Sequence, residues 1–473
     1  MDIKTISSIG QLRVKDGALY MDDVNLIELT ERFGSPLYVF SQKQIKKNVR
    51  EILDSFQSYH ERTSLHYASK AESSLATLQT VKESGGQLEV NSGGEIFKGK
   101  KAGFSGKDMV FNGVGKSIKE IESALQEDVK AINIDSEYEL ERIHEVAGRM
   151  HKKANVVIRI VPEISTGVIK GNETGTHESK FGITLDAIED VIQYALKHTD
   201  TIALKGYHYH LGTQTYDVEF WGKAFRVMLG LCIEMYEKTG FQPEILDIGG
   251  GLPIAYHIEP TASQYMPPNL YGMYSSDLKT IDIAKAVTKE LKPEIIKTWA
   301  DEKYSDMFVD CELVLEAGRK VVGDAAVLLT RVENYKQRKM LGEDWITVDA
   351  GLNTMLEVKT YHWYFPMVCA NKMDEPHMHP YKIAGPLCES GDVWYDYDAH
   401  KDLPDFRMLP DSIIPGDFIA MLETGAYGTS LMSRYNGRPL AGVIMICEDG
   451  KIVEAKKPET YDDLLIGEES LYS

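Results

Sequence analysis

Short apolar, β-rich runs alternate with longer amphipathic stretches from about residue 64 to residue 316. The runs predict strands at Leu65–Ala68, Gln87–Val90, Met109–Asn112, Ala131–Ile134, Val156–Val161, Ile202–His208, Ile245–Ile248 and Met307–Leu315. Helical spacing is expected between them, as in Ser117–Glu127, Ser136–His151, Leu185–His198 and Phe220–Thr239, with Asp135-Ser136 as a cap for the second. Eight strands with intervening helices predict a (β/α)8 barrel rather than an open doubly wound sheet. Beyond Arg319 the pattern turns to β, at Val321–Glu333, Trp345–Asp349, Met367–Val368, Phe418–Leu422 and Gly442–Glu448. The expected organisation is therefore a barrel over residues 38–316 and a β-domain from residues 1–37 plus 317–473, with a strand near Leu12–Met21 joining the latter. The stretch Pro253–Thr298 is too long for an ordinary βα loop and turns helical at Asp277–Leu291, so it reads as an insertion. There is no internal repeat and no low-complexity tract.

Charge narrows the partners. Lys+Arg number 52 against 72 Asp+Glu, a net charge of −20, which argues against nucleic acid or an anionic membrane surface. No apolar run approaches the ~18 residues a membrane span needs. Residues 1–10 carry one lysine and no apolar core of signal-peptide length. The five cysteines are scattered, without C-x-x-C, so neither a disulfide framework nor a zinc site is expected, and a reducing, cytoplasmic setting is. In that setting the glycosylation pattern Asn172-Glu173-Thr174 counts for nothing.

The candidate chemistry lies at the ends of the predicted strands. Lys70, Asn91-Ser92, Asn112-Gly113, His210, Gly249–Gly251 and Glu316 all fall at strand C-termini, where a barrel builds its active face. A lysine can form an imine with an aldehyde, glycine-rich backbone can cradle a phosphate, and a carboxylate can face a pyridine nitrogen. Together these residues describe a site for pyridoxal 5'-phosphate. Each has a plainer reading: Lys70 as a strand cap, Glu316 in an ion pair with Arg319, the glycine triplet as a tight strand-to-helix turn, Cys388 as a buried small residue. The loop Gly385–Asp392 is, however, dense in turn formers and acids, as a site loop would be. His208 and His210, at i and i+2, also suit a metal, but no Asp, Glu or Cys lies near them in sequence, so none is expected; the same holds for His377 and His379. Gly113-Val114-Gly115-Lys116-Ser117 resembles a P-loop ending, but Val110 stands where the first glycine is required.

Taken together, Tyr67-Ala68-Ser69-Lys70, His210-Leu211-Gly212-Thr213-Gln214, Gly249-Gly250-Gly251-Leu252, Cys388-Glu389-Ser390-Gly391-Asp392 and the run Gly425 to Asn436 resemble the fold-type III pyridoxal-phosphate decarboxylases. Within them the chain is similar to the diaminopimelate decarboxylases, from Pro36 to Leu440, with Ile164-Ser165-Thr166-Gly167 and Ser179-Lys180-Phe181-Gly182-Ile183 adding to the likeness. The resemblance implies that Lys70 carries the cofactor, His210 stacks on its ring, and Glu316 pairs with the ring nitrogen. It also implies that Thr213, Gly249, Gly250, Gly251, Arg319 and Tyr427 hold cofactor, with Arg319, Tyr361, Glu389 and Tyr427 reaching substrate. Cys388 would protonate the carbanion after CO2 leaves. Such enzymes are head-to-tail homodimers, with Cys388 and Glu389 reaching the partner's cofactor at the interface.

Two positions depart from the family pattern. Glu-Pro-Gly-Arg is here Glu316-Ala317-Gly318-Arg319, which keeps both charges. The arginine that grips the distal carboxylate of diaminopimelate is Glu357 here, with Tyr361 kept. Losing a bidentate arginine and gaining a like charge is expected to cost about 3–5 kcal/mol for a distal carboxylate. A distal ammonium would instead be attracted, by Glu357 and by Glu389. The expectation is decarboxylation of a D-configured diamino acid, D-lysine or D-ornithine, to cadaverine or putrescine; the D-configuration follows from the resemblance. The alternative is meso-diaminopimelate, with Arg319 and Lys359 holding the carboxylate. Further readings are an L-ornithine-type decarboxylase, an alanine racemase, a non-catalytic cofactor carrier and a phosphate-binding barrel enzyme.

Overall fold

Eight parallel strands close into a barrel in their order along the chain: β5 Thr63–Ala68, β6 Gln87–Val90, β7 Met109–Phe111, β8 Ala131–Ile134, β9 Ala154–Arg159, β10 Ile202–His208, β11 Ile245–Asp247 and β12 Glu312–Leu315. The computed structural model describes residues 6, 9–163, 180–258, 260–361, 363–395 and 403–471. The pattern at Asn172, the run Ile164–Gly167 and Ser179 lie outside the described residues. Barrel strands are covered on both faces, so they read as unbroken apolar runs, and every one of the eight was legible. The predicted start of the last strand, Met307, was early: residues 307–311 form turns, and Cys311 is tied by its thiol to the carbonyl of Pro243, 3.1 Å away. Where β10 meets β11, a Cβ on Gly206 would sit 1.8 Å from the Ile245 carbonyl oxygen, so the strand pairing itself demands glycine.

Two of the helices between strands start on serine caps. Ser117 accepts from the amide of Glu120, and Ser136 from that of Glu139, opening helices Ile118–Glu127 and Glu137–Met150. Lys116, of the P-loop-like motif, is fully buried; its ammonium donates to both Glu139 carboxylate oxygens, at 3.1 Å, and to the carbonyls of Gly113 and Asn133. That lysine is a strut between loops, with no hold on a phosphate.

The chain divides into two compact units: Lys46–Ile254 with Ser276–Val321, which holds the barrel, and Met1–Ile45 with Ala255–Ser275 and Val322–Ser473. In the second unit β13 Ala326–Arg338 pairs with β14 Glu343–Val348, β18 Phe418–Leu422 and β4 Leu37–Ser41. The sheet continues through β16 His379–Ala384 and β17 Arg407–Leu409 on one side, and β19 Gly442–Ile446 and β20 Ile452–Lys456 on the other; β15 Met367–Cys369 pairs with β18. Two expectations need correction. The N-terminal strand of this sheet is β4, not the Leu12–Met21 region, which folds into its own sheet of β1 Leu12–Lys15, β2 Ala18–Met21 and β3 Val24–Asn25. Asp16-Gly17, both at positive φ, turn the chain back there, and the hairpin packs Leu12, Leu19 and Met21 onto Val39, Val327 and Leu422. The insertion is also divided: its first part, Ala255–Ser275, belongs with the β unit, while helix Thr280–Lys289 belongs with the barrel. No helix among the described residues is long and apolar enough to cross a membrane.

Candidate active site

Lys70 stands where β5 stops. Ala68 hands over to one 3-10 turn, Ser69–Ala71, which puts Lys70 at the C-terminal end of the barrel. Ser69 Oγ donates to the Glu89 carbonyl at 2.9 Å, and the Ala68 amide donates to the Ala317 carbonyl at 3.1 Å, so the turn is tied to both neighbouring strand ends. Lys70 Nζ lies 3.8 Å from Glu89 Oε1; the lysine side chain is 47% exposed and the glutamate wholly buried. Burial pushes the Glu89 carboxyl up, Lys70 opposes it and Glu316 adds to it, leaving the group raised to about 7. The burial at this pair lies in the acid rather than in the lysine.

Glu316, just past β12, is the hub of a buried polar cluster. It accepts from Asn112 Nδ2 at 2.8 Å and Asn133 Nδ2 at 3.3 Å, and its other oxygen is 3.1 Å from His208 Nε2. Burial pushes its carboxyl up, but His208 and Lys70 outweigh that, and it is held well below the ordinary carboxylate range. Burial lowers His208, and Glu316 opposes that by its charge and its hydrogen bond. Asp247, the register partner of His208 in β11, is driven well above its usual range by burial and by Glu316.

His208, Asp247 and Glu316 bring ligand atoms within 4.8 Å of one another, a spacing that could hold a cation. The absence of acids near His208 in sequence thus misled: the fold supplies them from the two following strands. His208 is in this group, and His210 is not. His377 and His379 hold backbone and strands together. The first accepts from the Cys369 amide, and the second meets Asp344 Oδ2 at 2.6 Å.

His210 lies beyond β10, and its Nδ1 accepts the Gly250 amide at 3.0 Å, which leaves the proton on Nε2. Burial, Lys70 and Arg159 lower it far below its usual value, so it is a flat, neutral ring. Each glycine of the triplet is required: a Cβ would lie 2.4 Å from the Tyr209 carbonyl oxygen at Gly249, 2.5 Å from that of Glu316 at Gly250, and 2.4 Å from that of Gly212 at Gly251. The amides of Gly249 and Gly250 are committed to Asp247 and His210. No helix follows the triplet directly, so its plainer reading as a strand-to-helix turn does not apply. Thr215 Oγ1 is buried there without a hydrogen-bond partner, 3.5 Å from where a Gly251 Cβ would be. Gln214 clamps the cradle by exchanging two 2.9 Å bonds with the Ile254 backbone; Thr213 next to it is half-buried. A lysine at the strand end, a neutral ring, a buried carboxylate and a side-chain-free cradle with an orphan hydroxyl fit pyridoxal phosphate. Arg319, buried, opens the helix Arg319–Val322 one turn after Glu316. Phe181 carries the Arg159 guanidinium over its ring, 4.2 Å from the centroid.

The β unit carries the other expected residues. Asp392 accepts from the amides of Leu387 and Leu352, both at 2.7 Å, and so binds the loop containing Cys388 to the segment leading to Glu357. Cys388 is exposed, which removes its reading as a core residue, and its amide donates to Asn436 Oδ1 at 2.7 Å. Glu357 opens the short helix Glu357–Thr360 and is wholly buried, whereas Tyr361 is 37% exposed. The Glu389 carboxylate oxygens and Lys359 Nζ all lie 3.0–3.2 Å from where a Gly391 Cβ would be, so this acid and this base are neighbours. Tyr427, at φ 62°, caps the short helix Gly428–Leu431 and is half-buried.

Sequence reasoning passed over Glu89, Asn133, Arg159 and Thr215 and gave Asp247 no role. A lone polar residue inside an apolar barrel strand, as in Ala-Ile-Asn-Ile, was the available signal.

The family model described as the pyridoxal binding domain of the pyridoxal-dependent decarboxylases matches residues 42–323. The diaminopimelate decarboxylase of Archaeoglobus fulgidus is 33% identical over 451 residues, covering 95% of this chain and 96% of that one. The enzyme of the same name from Aquifex aeolicus is 30% identical with the same coverage. A crystal structure of diaminopimelate decarboxylase from M. jannaschii superposes with a TM-score of 0.83 at 29% identity, covering 98% of each chain. The chain belongs to the pyridoxal-dependent decarboxylases of fold type III, in their diaminopimelate decarboxylase-like group, and is an amino-acid decarboxylase that uses pyridoxal phosphate.

Proposed function

We propose that the enzyme releases CO2 from the α-carbon of a D-configured diamino acid ending in an ammonium, D-lysine or D-ornithine, to give cadaverine or putrescine. The observation that carries this reading is Glu357: a wholly buried carboxylate at the position where the family resemblance expects an arginine for a distal carboxylate. A buried anion there favours a cationic end group and opposes an anionic one. Lys359 is a poor replacement for the arginine, because its ammonium is beside Glu389.

In this reading Lys70 holds the cofactor covalently, His210 lies against its ring, and Glu316 faces its nitrogen with His208 and Asn112 behind. The cradle of Gly249, Gly250 and Gly251, with Thr213, Thr215 and Arg319, receives the phosphate; for Tyr427 a cofactor role is what the family resemblance implies. Bound cofactor supplies the electron sink that lets the Cα–carboxylate bond break. The ionised Glu316 keeps a proton on the ring nitrogen, and Cys388, exposed on its loop, delivers a proton to Cα. The resemblance further supports a cytoplasmic homodimer in which Cys388 and Glu389 serve the partner's cofactor.

The names of the relatives favour a second reading, meso-diaminopimelate as substrate and L-lysine as product. CO2 release from D-lysine, D-ornithine, L-ornithine and meso-diaminopimelate, measured side by side with added pyridoxal phosphate, separates the two. Turnover of the D-diamino acids is expected; turnover of meso-diaminopimelate alone would replace the proposal with the second reading.

A further inference from the structure

The first part of the insertion folds onto two segments of the β unit that carry proposed substrate contacts. Tyr274 Oη accepts the Tyr364 amide at 2.8 Å. The rings of Tyr256 and Tyr274 meet Trp363 edge-on, with centroids 5.5 and 5.1 Å away. Trp363 in turn donates its amide to the Glu357 carbonyl, at 3.3 Å, alongside the Tyr361 amide at 3.0 Å. The segment is closed on itself by the Tyr256 amide, which donates to the Tyr274 carbonyl at 2.7 Å.

A second grip lies one residue on. His257 binds Glu423 twice, through its amide at 2.9 Å and its Nδ1 at 2.7 Å. Glu423 is buried in the left-handed region, at φ 59°, four residues before Tyr427. A non-glycine residue stays in that conformation only where its surroundings hold it. The hydrogen bonds of His257 do so.

We infer that the inserted segment Tyr256–Tyr274 is a clamp that positions the Glu357–Tyr361 segment and the turn leading to Tyr427, and so sets how tightly substrate is gripped. The inference rests on the proposed substrate role of Glu357 and on the family resemblance, which has Tyr361 and Tyr427 reach substrate. Tyr274 and His257 are positioning residues; neither touches the reacting atoms. Loosening the clamp misplaces groups that bind the end of the substrate equally in ground and transition states, so KM rises while kcat stands.

The test is steady-state kinetics of Tyr274→Phe and His257→Gln holoenzymes on whichever diamino acid the wild type turns over best, with the visible absorbance of the cofactor recorded. Tyr274→Phe keeps the ring and removes the hydroxyl that accepts the Tyr364 amide. The expected result is a KM raised about 3- to 10-fold, the worth of one hydrogen bond, with kcat within about twofold and absorbance unchanged. Unchanged KM in both variants, or kcat, KM and cofactor absorbance failing together, would overturn the clamp. Should Tyr274→Phe not fold, His257→Gln at its half-exposed position decides alone. A wild type that prefers meso-diaminopimelate would defeat the proposed substrate and leave this test intact, because KM is then followed on that compound.

Discussion

Asn112 Nδ2 sits 2.8 Å from Glu316 Oε1 and 2.9 Å from Glu89 Oε1, so one amide group joins the carboxylate expected at the ring nitrogen to the one beside Lys70. Two buried acids share a single neutral donor. Asn112→Ala removes a hydrogen bond to each. At about 1.5–3 kcal/mol for a bond to a charged group, kcat should fall about 10- to 100-fold, measured by CO2 release. An unchanged kcat would remove Asn112 from the machinery.

Lys70→Ala should yield a folded protein that is neither yellow with added pyridoxal phosphate nor active. Absorbance and turnover check this together. A coloured, active variant would show that another lysine carries the cofactor.

Cys388 is the exposed cysteine, while Cys232, Cys311 and Cys369 are buried and Cys447 is half-buried. A thiol reagent should therefore modify Cys388 first, with activity lost in step. Cys388→Ala should cut kcat about 10²-fold, within the range general acids contribute, and leave cofactor absorbance unchanged. Retention of full kcat would exclude it as the proton donor.

At the other end of the barrel His66 predicts an acid-sensitive stability. Its ring is wholly buried, with Nδ1 3.4 Å from the Leu88 carbonyl oxygen and Nε2 3.3 Å from Lys130 Nζ. Burial and then Lys130 lower its pKa from 6.5 to about 3. Between those values the unfolded chain binds the extra proton and the folded one does not, so stability falls as pH drops from 6.5 toward 3. The loss is about 2 kcal/mol by pH 5, at about 1.4 kcal/mol per pH unit. Thermal melts at pH 7 and pH 5 should differ less in His66→Gln than in the wild type; equal differences would contradict the assignment.

How much of this was legible follows from what each element buries. The barrel strands were readable because burial on both faces makes them apolar throughout. The β1–β2 hairpin was missed although Asp16-Gly17 is a hairpin signal, because its short strands ran together as one. Lys70, His210 and Glu316 stood out as polar residues closing apolar runs. The His208–Asp247–Glu316 group did not, because its members are separated along the chain and converge only when β10, β11 and β12 lie side by side. Glu357 was visible only as a departure from a family pattern, and its complete burial only in the fold. The clamp of Tyr256, His257 and Tyr274 has no local signature at all, since its partners Trp363, Tyr364 and Glu423 lie far downstream.

The ratio of kcat/KM for D-lysine to that for meso-diaminopimelate, in the wild type and in Glu357→Arg, tests the central claim most directly. The account predicts a wild type that favours D-lysine and a variant shifted at least about 100-fold toward meso-diaminopimelate, the equivalent of about 3 kcal/mol at a buried charge. A wild type that favours meso-diaminopimelate, or a ratio that Glu357→Arg leaves in place, would contradict it.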